Sequence, residues 1–272
     1  MYKRKFIVSE KDHQLCIDDF AYKHEVSRRA LKDIKMYGDI LVDGIHQTVR
    51  YVLSCGEMIE FIYPSEENNL VKEDIPLNIV YEDEYLMVIN KPKGLACIPT
   101  RSHPISLANA ISFYYQTINL NSTIHLVNRL DRDTAGLMIV AKYREIHDLM
   151  CRDITHIYRK YHAHVSGKVD AGTICLPIYK NEKEMQRIID ERGKASVTHY
   201  RCLKYQDNQS YIECVLETGR THQIRVHLSA IGHPLIGDDL YGGEEGVFDL
   251  ESTMVAFTHP ITKQIKVIEK KL

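Results

Sequence analysis

Residues 128–142 read NRLDRDTAGLMIVAK. Two arginines, two aspartates and an asparagine stand before Ala135-Gly136, and the apolar run Leu137-Met138-Ile139-Val140-Ala141 follows at once. A short continuous apolar run behind a turn signal is the pattern of a strand buried on both faces. Asp bonds its own backbone in turns, so Asp131 and Asp133 fit an ordinary turn. They equally fit the paired carboxylates of a glycosidase or a D-x-D metal site. The stretch by itself leaves all three open.

Working outward, strands are expected at residues 79–81 and 85–89, ended by Lys91-Pro92, and at 158–165, 197–203 and 211–216, with a helix over 105–120. Strands and helices do not alternate regularly, and neither a G-x-G-x-x-G fingerprint nor a P-loop occurs. The expected class is therefore α+β with a mixed, largely antiparallel sheet, and nothing points to a nucleotide cofactor.

Residues 217–242, ETGRTHQIRVHLSAIGHPLIGDDLYG, are dense in polar groups. Thr221 is the expected cap of a helix with the apolar stripe Ile224, Leu228 and Ile231, which Gly232 and Pro234 stop. Arg225 lies one turn from Thr221, His222 and Leu228 and flanks that stripe. A partly buried arginine there needs a carboxylate partner. A purely structural ion pair would satisfy that need.

The N-terminal part, residues 1–65, reads as a small unit of two helices and a β-hairpin. Ile17, Phe20 and Ala21 fall at helical spacing. Ser27 caps a second helix that carries Leu31 and Ile34, and Gly38 stands where a helix-terminating glycine belongs. Strands are expected at 40–42, 51–53 and 58–62, with Asp43-Gly44 as the hairpin turn. The second helix carries Arg28, Arg29, Lys32 and Lys35 against a single Asp33. A charge run of this kind is a solvated helix face or an RNA contact. Residues 66–77, polar and acidic, read as a linker, which leaves 78–272 as the main domain.

Composition sets the outer bounds. The chain has 272 residues, 44% of them hydrophobic, with a formal net charge of −2. That balance does not mark a nucleic-acid binder, so any such role has to come from local clusters. The seven cysteines form no C-x-x-C pair and are expected to be reduced thiols. The pairs His162/His164 and His222/His227 lack a third ligand at a familiar spacing, so no metal is expected. No apolar run reaches the roughly 18 residues of a membrane span. The basic start lacks the apolar stretch of a signal peptide. A cytoplasmic monomer is the expectation.

Four stretches, in order, resemble the motifs of the RluA-type pseudouridine synthases: IVYEDEYLMVINKPKGLACIP, NRLDRDTAGLMIVAK, RKYHAHVSG and GRTHQIRVHLSAIGHPLIGDDLYG. The resemblance spans residues 76–268. It implies that Asp131 is the catalytic aspartate, Tyr161 the active-site tyrosine and Arg225 the arginine that pairs with the aspartate. Tyr158 is the rival tyrosine, but it misses the register set by Ala163, Val165 and Gly167. Flanking these, Arg129, Leu130 and Thr134, with Arg220, Thr221, His222, Gln223 and Ile224, are implied to bind substrate. This chain departs from the pattern at Asn128, where His is commonest, at Ala135, where Ser is frequent, and at Arg159, where lysine is favoured. The helix–helix–GDILVDG arrangement of residues 14–62 resembles the alpha-L RNA-binding module, shared by a ribosomal small-subunit protein and tyrosyl-tRNA synthetases. That likeness implies that Arg28, Arg29, Lys32 and Lys35 contact RNA phosphates. The two resemblances together point to the RluD-like branch acting on large-subunit rRNA. The alternatives are the same chemistry on tRNA, or an RNA-binding protein without catalysis.

The implied reaction breaks the bond from ribose to uracil nitrogen and remakes it to carbon 5. No atom is gained or lost, so no cofactor or metal is required. A carboxylate suits the task, being nucleophilic when ionised and a tolerable leaving group. It could attack the ribose, attack the base or remove a ribose proton. Burial raises a carboxyl pKa and a neighbouring arginine lowers it, so Arg225 is expected to hold Asp131 charged. Tyr161 is expected to stack on the uracil and take the proton from carbon 5. The uridine must first be flipped out of its stack, at a cost of a few kcal/mol, and Arg129 is a candidate to hold it there.

Overall fold

The structure is a computed structural model that describes residues 2–152, 157–181 and 186–270. The chain divides into two units. One comprises Met1–Asn69 with Tyr115–Thr123 and Tyr143–Glu145, the other Leu70–Tyr114, Ile124–Lys142 and Ile146–Leu272.

The first unit holds β1 (Lys3–Ile7), α1 (Ile17–Lys23), α2 (Arg28–Tyr37), β2 (Asp39–Val42), β3 (Ile45–His46) and β4 (Met58–Ile62). Its sheet runs β1-β4-β2-β3, antiparallel throughout. Ile17, Phe20, Leu31, Ile34, Leu53, Ile59 and Phe61 are buried between helices and sheet. Each such side chain contributes about 1.5–3 kcal/mol by leaving water. The Ser27 hydroxyl accepts a hydrogen bond from the Ala30 amide at 3.1 Å, which caps α2. Asp43 and Gly44 both adopt positive φ, 48° and 80°, as a tight hairpin turn requires. Three details differ from expectation. Gly38 ends α2 at φ −117°, outside the left-handed region, and is small because a Cβ there would meet the Ile62 carbonyl oxygen at 2.0 Å. Of residues 51–53, Val52 makes only a single antiparallel bridge to Cys16. Strand β1 is not among the expected strands; it alternates exposed and half-buried residues, so its pattern carries little apolar signal.

The second unit is built on one sheet, in the order β10 (Ala171–Cys175), β13 (Val197–Gln206), β14 (Gln209–Leu216), β9 (Tyr158–Ser166), β15 (Leu250–Thr258), β8 (Ala135–Ala141), β6 (Leu86–Lys91), β5 (Ile79–Glu82). Strand β16 (Ile265–Glu269) also pairs with β15, and β7 (His125–Leu126) with β8. Strands β11 (Ile178–Lys180) and β12 (Arg187–Ile189) form a separate ladder. Every neighbouring pair in the large sheet is antiparallel except β15–β8. This is the α+β, largely antiparallel architecture that the sequence predicts. Strand β8 is buried at every position from Gly136 to Ala141. Gly136 is needed where β8 meets β15: its φ is +108°, and a Cβ would lie 2.1 Å from the Ser252 carbonyl oxygen.

Two helix ends differ from expectation. Helix α3 (Leu107–Thr117) is shorter than 105–120, because Asn119 turns left-handed at φ 54° and the Leu120 amide closes back onto the Tyr115 carbonyl at 2.8 Å. Helix α4 spans Arg144–Cys151. Helix α5 (Gln223–Ala230) is not capped by Thr221, which is exposed; His222, at φ 56°, occupies the cap position. The start of α5 is fixed instead by Gln223. Its side chain accepts from the Arg220 amide at 2.9 Å and the Thr218 hydroxyl at 2.8 Å, and donates to the Val197 carbonyl at 2.9 Å. These bonds tie the helix N-terminus to β13.

Candidate active site

The loop before β8 is pinned from several sides. The Lys91 side chain is fully buried at the end of β6 and donates to the carbonyls of Pro92, Leu95 and Arg132 at 2.8, 2.8 and 2.9 Å. Burial pushes its ammonium down to about 8. The Gly94 amide donates to the same Arg132 carbonyl at 2.9 Å. The Cys97 thiol donates to the Leu130 carbonyl at 2.9 Å, and Asn128 accepts from the Ile139 amide at 2.8 Å. Asn128 thus shapes the loop through one hydrogen bond to β8. Inside the loop the Thr134 amide returns to the Asp131 carbonyl at 3.2 Å. Asp131 is left as the one loop side chain facing the cavity with a carboxylate. Asp133 is instead forked by Arg132 on the exposed side, with contacts from 2.9 to 3.2 Å.

The cavity holds about 630 Å³, within the range of small-molecule sites. Arg129, Leu130 and Asp131 line it from the loop, Tyr161 from β9, and Arg220 and Thr221 from the turn before α5. A smaller recess shares Asp131 and Tyr161 and is completed by Thr134, His222, Ile224 and Arg225. Gln223 also borders this recess. All eleven residues singled out in the main domain therefore converge. Tyr161 is 6% exposed, and burial pushes its phenol up, so the hydroxyl stays protonated at neutral pH.

Arg225 stands between two carboxylates, and the sequence motifs point to only one of them. It reaches Asp131 with one guanidinium nitrogen at 3.4 Å. Its fork engages Asp238, Nε and Nη2 each donating at 2.8 Å. The Asp238 side chain is fully buried and also accepts from the amides of Leu240 and Tyr241 at 3.1 and 3.2 Å. Burial works against the Arg225 charge, but the Asp238 hydrogen bonds and charge outweigh it, so the group stands above its ordinary value. The rings of Tyr241 and Phe248 lie 5.1 and 5.2 Å from its guanidinium carbon. The signal for Asp238 is present in Gly237-Asp238-Asp239, but nothing in the spacing tells that the chain folds back onto α5.

His222 adds a third neighbour, with Nε2 3.9 Å from the Asp131 carboxylate. Its Nδ1 lies 2.9 Å from the Tyr241 hydroxyl, which itself accepts from the Arg187 amide at 2.7 Å. With Tyr241 donating to Nδ1, the remaining imidazole proton sits on Nε2 and faces Asp131. Burial pulls His222 below its ordinary value, so the ring is neutral at pH 7. His227, by contrast, is spent on structure: its ring nitrogens meet the Thr198 hydroxyl and the Leu176 carbonyl at 2.9 and 3.0 Å. Arg129 and Arg220 are exposed at the rim. Arg159, in the sequence only a departure from lysine, also lines the cavity.

A carboxylate, a protonated phenol and an arginine gathered on one cavity between a sheet and a helix define an enzyme site for acid–base or nucleophilic chemistry. Comparison with known proteins narrows the class. The family described as RNA pseudouridylate synthase matches residues 85–230. The uncharacterized RNA pseudouridine synthase YjbO of Bacillus subtilis is 41% identical over 262 residues, covering 92% of this chain and 93% of the relative. Ribosomal large subunit pseudouridine synthase D of Pseudomonas aeruginosa is 39% identical over 232 residues, covering 81% of this chain and 70% of the relative. The solved structure of human RNA pseudouridylate synthase domain containing 1 shares the fold at a TM-score of 0.61 and 22% identity, covering 74% of this chain and 85% of that one. The chain belongs to the RNA pseudouridine synthase family, of the RluA/RluD type. It is an RNA pseudouridine synthase, an isomerase acting on RNA.

Proposed function

We propose that the protein converts specific uridines of large-subunit ribosomal RNA to pseudouridine. Asp131 is the carboxylate that acts on the nucleotide, Arg225 orients it, and Tyr161 lies against the uracil. The observation that carries this reading is that Asp131 and Tyr161 line the same cavity while Arg225 reaches Asp131 at 3.4 Å. The choice of large-subunit rRNA is supported by the relative of Pseudomonas aeruginosa that bears that name. In this reading residues 1–65 bind RNA, 66–77 join the two parts, and 78–272 carry the chemistry. Arg28, Arg29, Lys32 and Lys35 support the first assignment, since all four are exposed along α2 and none pairs with a carboxylate among the described residues. Unpaired surface cations of this kind bind RNA phosphates and supply affinity without sequence information.

The uridine enters flipped from its stack. Asp131 takes up the reacting nucleotide, and Arg129 and Arg220 at the rim meet the backbone. Tyr161 packs on the ring as a neutral phenol; because burial keeps its hydroxyl protonated, it stacks and donates a hydrogen bond and is not the base for the carbon-5 proton expected from the sequence. The test is Asp131→Asn, assayed with large-subunit rRNA from cells lacking the gene. The variant is expected to bind this RNA as the wild type does and to form no pseudouridine. Full activity would overturn the assignment. Mapping pseudouridines with and without the gene identifies the substrate. Loss confined to tRNA positions would redirect the reading to tRNA.

A further inference from the structure

Arg159 lies on β9 two residues before Tyr161, on the same face of the strand, and both line the main cavity with Asp131. It is 3% exposed. Its Nε donates to the Ile157 carbonyl at 3.2 Å, and among the described residues that is its only hydrogen bond. Its Nη2 is buried with no partner, and among the described residues no carboxylate pairs with it. An arginine is charged at every relevant pH, and a buried charge without a partner costs several kcal/mol. The surrounding structure nevertheless makes room for it. Gly219, in the turn before α5, has an ordinary backbone conformation, yet a Cβ there would lie 2.6 Å from Arg159 Nη1. The fold thus keeps an unsatisfied cation at depth in the cavity and leaves a side chain off the opposite wall to accommodate it.

We propose that Arg159 is a catalytic residue whose free guanidinium N–H groups bind a carbonyl oxygen of the flipped uracil and stabilise the negative charge that the base acquires when it leaves the ribose. The inference rests on the synthase reading above. Breaking the C1′–N1 bond sends its electron pair to the uracil ring, where the charge spreads from N1 onto O2 and O4. The ribose carbon is left electron-poor and is taken up on the Asp131 side. When the C1′–C5 bond forms, the ring returns that pair, the C5 proton is lost and N1 is protonated, so the cation at Arg159 is needed only while the base is detached. Depth selects the base over the backbone as the ligand: the phosphates of a flipped nucleotide stay at the rim, where Arg129 and Arg220 are exposed, and only the base extends to a residue that is 3% exposed. A donor aimed at charge that develops during reaction stabilises the transition state more than the ground state.

The test compares Arg159→Met and Arg159→Lys in the full chain with wild type, on large-subunit rRNA from cells lacking the gene. Arg159→Met is expected to lower the single-turnover rate of pseudouridine formation by roughly 100-fold or more, the usual effect of deleting one such donor. Its RNA affinity should stay within about threefold of wild type, because the contact strengthens only during reaction. Its melting temperature should be no lower than that of wild type, since methionine removes an unpaired buried charge. Arg159→Lys, which keeps the charge, should recover part of the rate. Gly219→Ala, which crowds the guanidinium without removing it, should lower the rate in the same direction. An unchanged rate in Arg159→Met overturns the proposal. A lower melting temperature shows a structural role and overturns it too. A loss of RNA affinity matching the loss of rate assigns Arg159 to the backbone and also overturns it. If wild type forms no pseudouridine in any cellular RNA, the synthase reading fails, and this inference falls with it.

Discussion

Arg225 serves two aspartates, and replacing each should lower the rate while differing sharply in the effect on stability. Asp238→Asn keeps the size of the side chain and one oxygen but removes the charge that the Arg225 fork engages. Both fork contacts are 2.8 Å, the Asp238 side chain is fully buried and that of Arg225 is 13% exposed. Removing one partner of a buried pair costs about 3–5 kcal/mol, and the retained oxygen argues for the lower end. At about 2–4 °C per kcal/mol for a domain of this size, the melting temperature should fall by about 6–12 °C. Freed from Asp238, the guanidinium turns to its remaining anion, Asp131, and clamps it away from the nucleotide. A displacement of about 1 Å at a reacting group can cost on the order of 100-fold in rate. Asp131→Asn should separate activity from stability. Its contacts are long, 3.4 Å to Arg225 and 3.9 Å to His222, and its side chain is 25% exposed, so its loss should cost less than about 1 kcal/mol in stability while abolishing turnover.

Thermal melts of the two variants, paired with single-turnover pseudouridine formation on the same RNA, separate these effects. A melting temperature for Asp238→Asn within about 2 °C of wild type, with a rate within about threefold, would refute the reasoning. Arg225 would then be held by its aromatic neighbours Tyr241 and Phe248 and not by the fork.

Three further outcomes are expected. Asp133→Ala should keep its activity and its stability within about 1 kcal/mol, because Asp133 is 42% exposed and, among the described residues, engaged only with Arg132; inactivity with an intact fold would revive a two-carboxylate mechanism. Replacing Arg28, Arg29, Lys32 and Lys35 together by alanine should weaken RNA binding across all sequences and flatten its salt dependence by about 0.7–0.9 for each phosphate no longer neutralised, measured as the slope of log affinity against log salt. Asp12, buried against Lys23, Ser9 and His24, is held well below the ordinary value of 3.8, chiefly by its Lys23 hydrogen bond. A carboxyl depressed on folding stabilises above its unfolded value, and that contribution is lost as pH falls below it. The first unit should therefore lose stability from about pH 4 downward, and Asp12→Asn should remove this part of the acid dependence in a pH-resolved melt.

Local chemistry is legible in the sequence, and returns of the chain are not. The buried strand β8, the Ser27 cap and the Asp43-Gly44 hairpin each follow from a few adjacent residues, and each forms. Strand β1 does not announce itself, because an edge strand with one half-buried face offers little apolar signal. Thr221 is a reasonable cap by type, but Gln223 secures that helix through tertiary bonds to β13. Motif resemblance names Asp131, Tyr161 and Arg225, which the structure gathers at one cavity. It does not reveal Asp238, which meets Arg225 only because the chain reverses after Gly232. Nor does it give weight to Arg159, whose interest lies in the partner it lacks.

The charges around the cavity are distributed in a way that stability alone does not explain. Two arginines and two aspartates could have paired off completely. Instead Asp238 and Arg225 satisfy each other, Asp131 keeps only long contacts, to Arg225 and His222, and Arg159 keeps none with a carboxylate among the described residues. The two groups left short of partners have opposite sign and line the same cavity. Breaking the bond between ribose and uracil separates charge in that sense, leaving the sugar carbon electron-poor and the base electron-rich. A site that holds a fixed anion and a fixed cation apart before substrate arrives has already met the cost of orienting them, so they need not reorganise as the bond breaks. An apolar side chain at 159, or a permanent partner for Arg159, would stabilise the fold and weaken the chemistry, which is the exchange expected of a functional site. The two residues are then interdependent. If Asp131 and Arg159 act on opposite ends of one breaking bond, their combined replacement should cost much less than the product of the single effects, because either loss alone already prevents the charge separation.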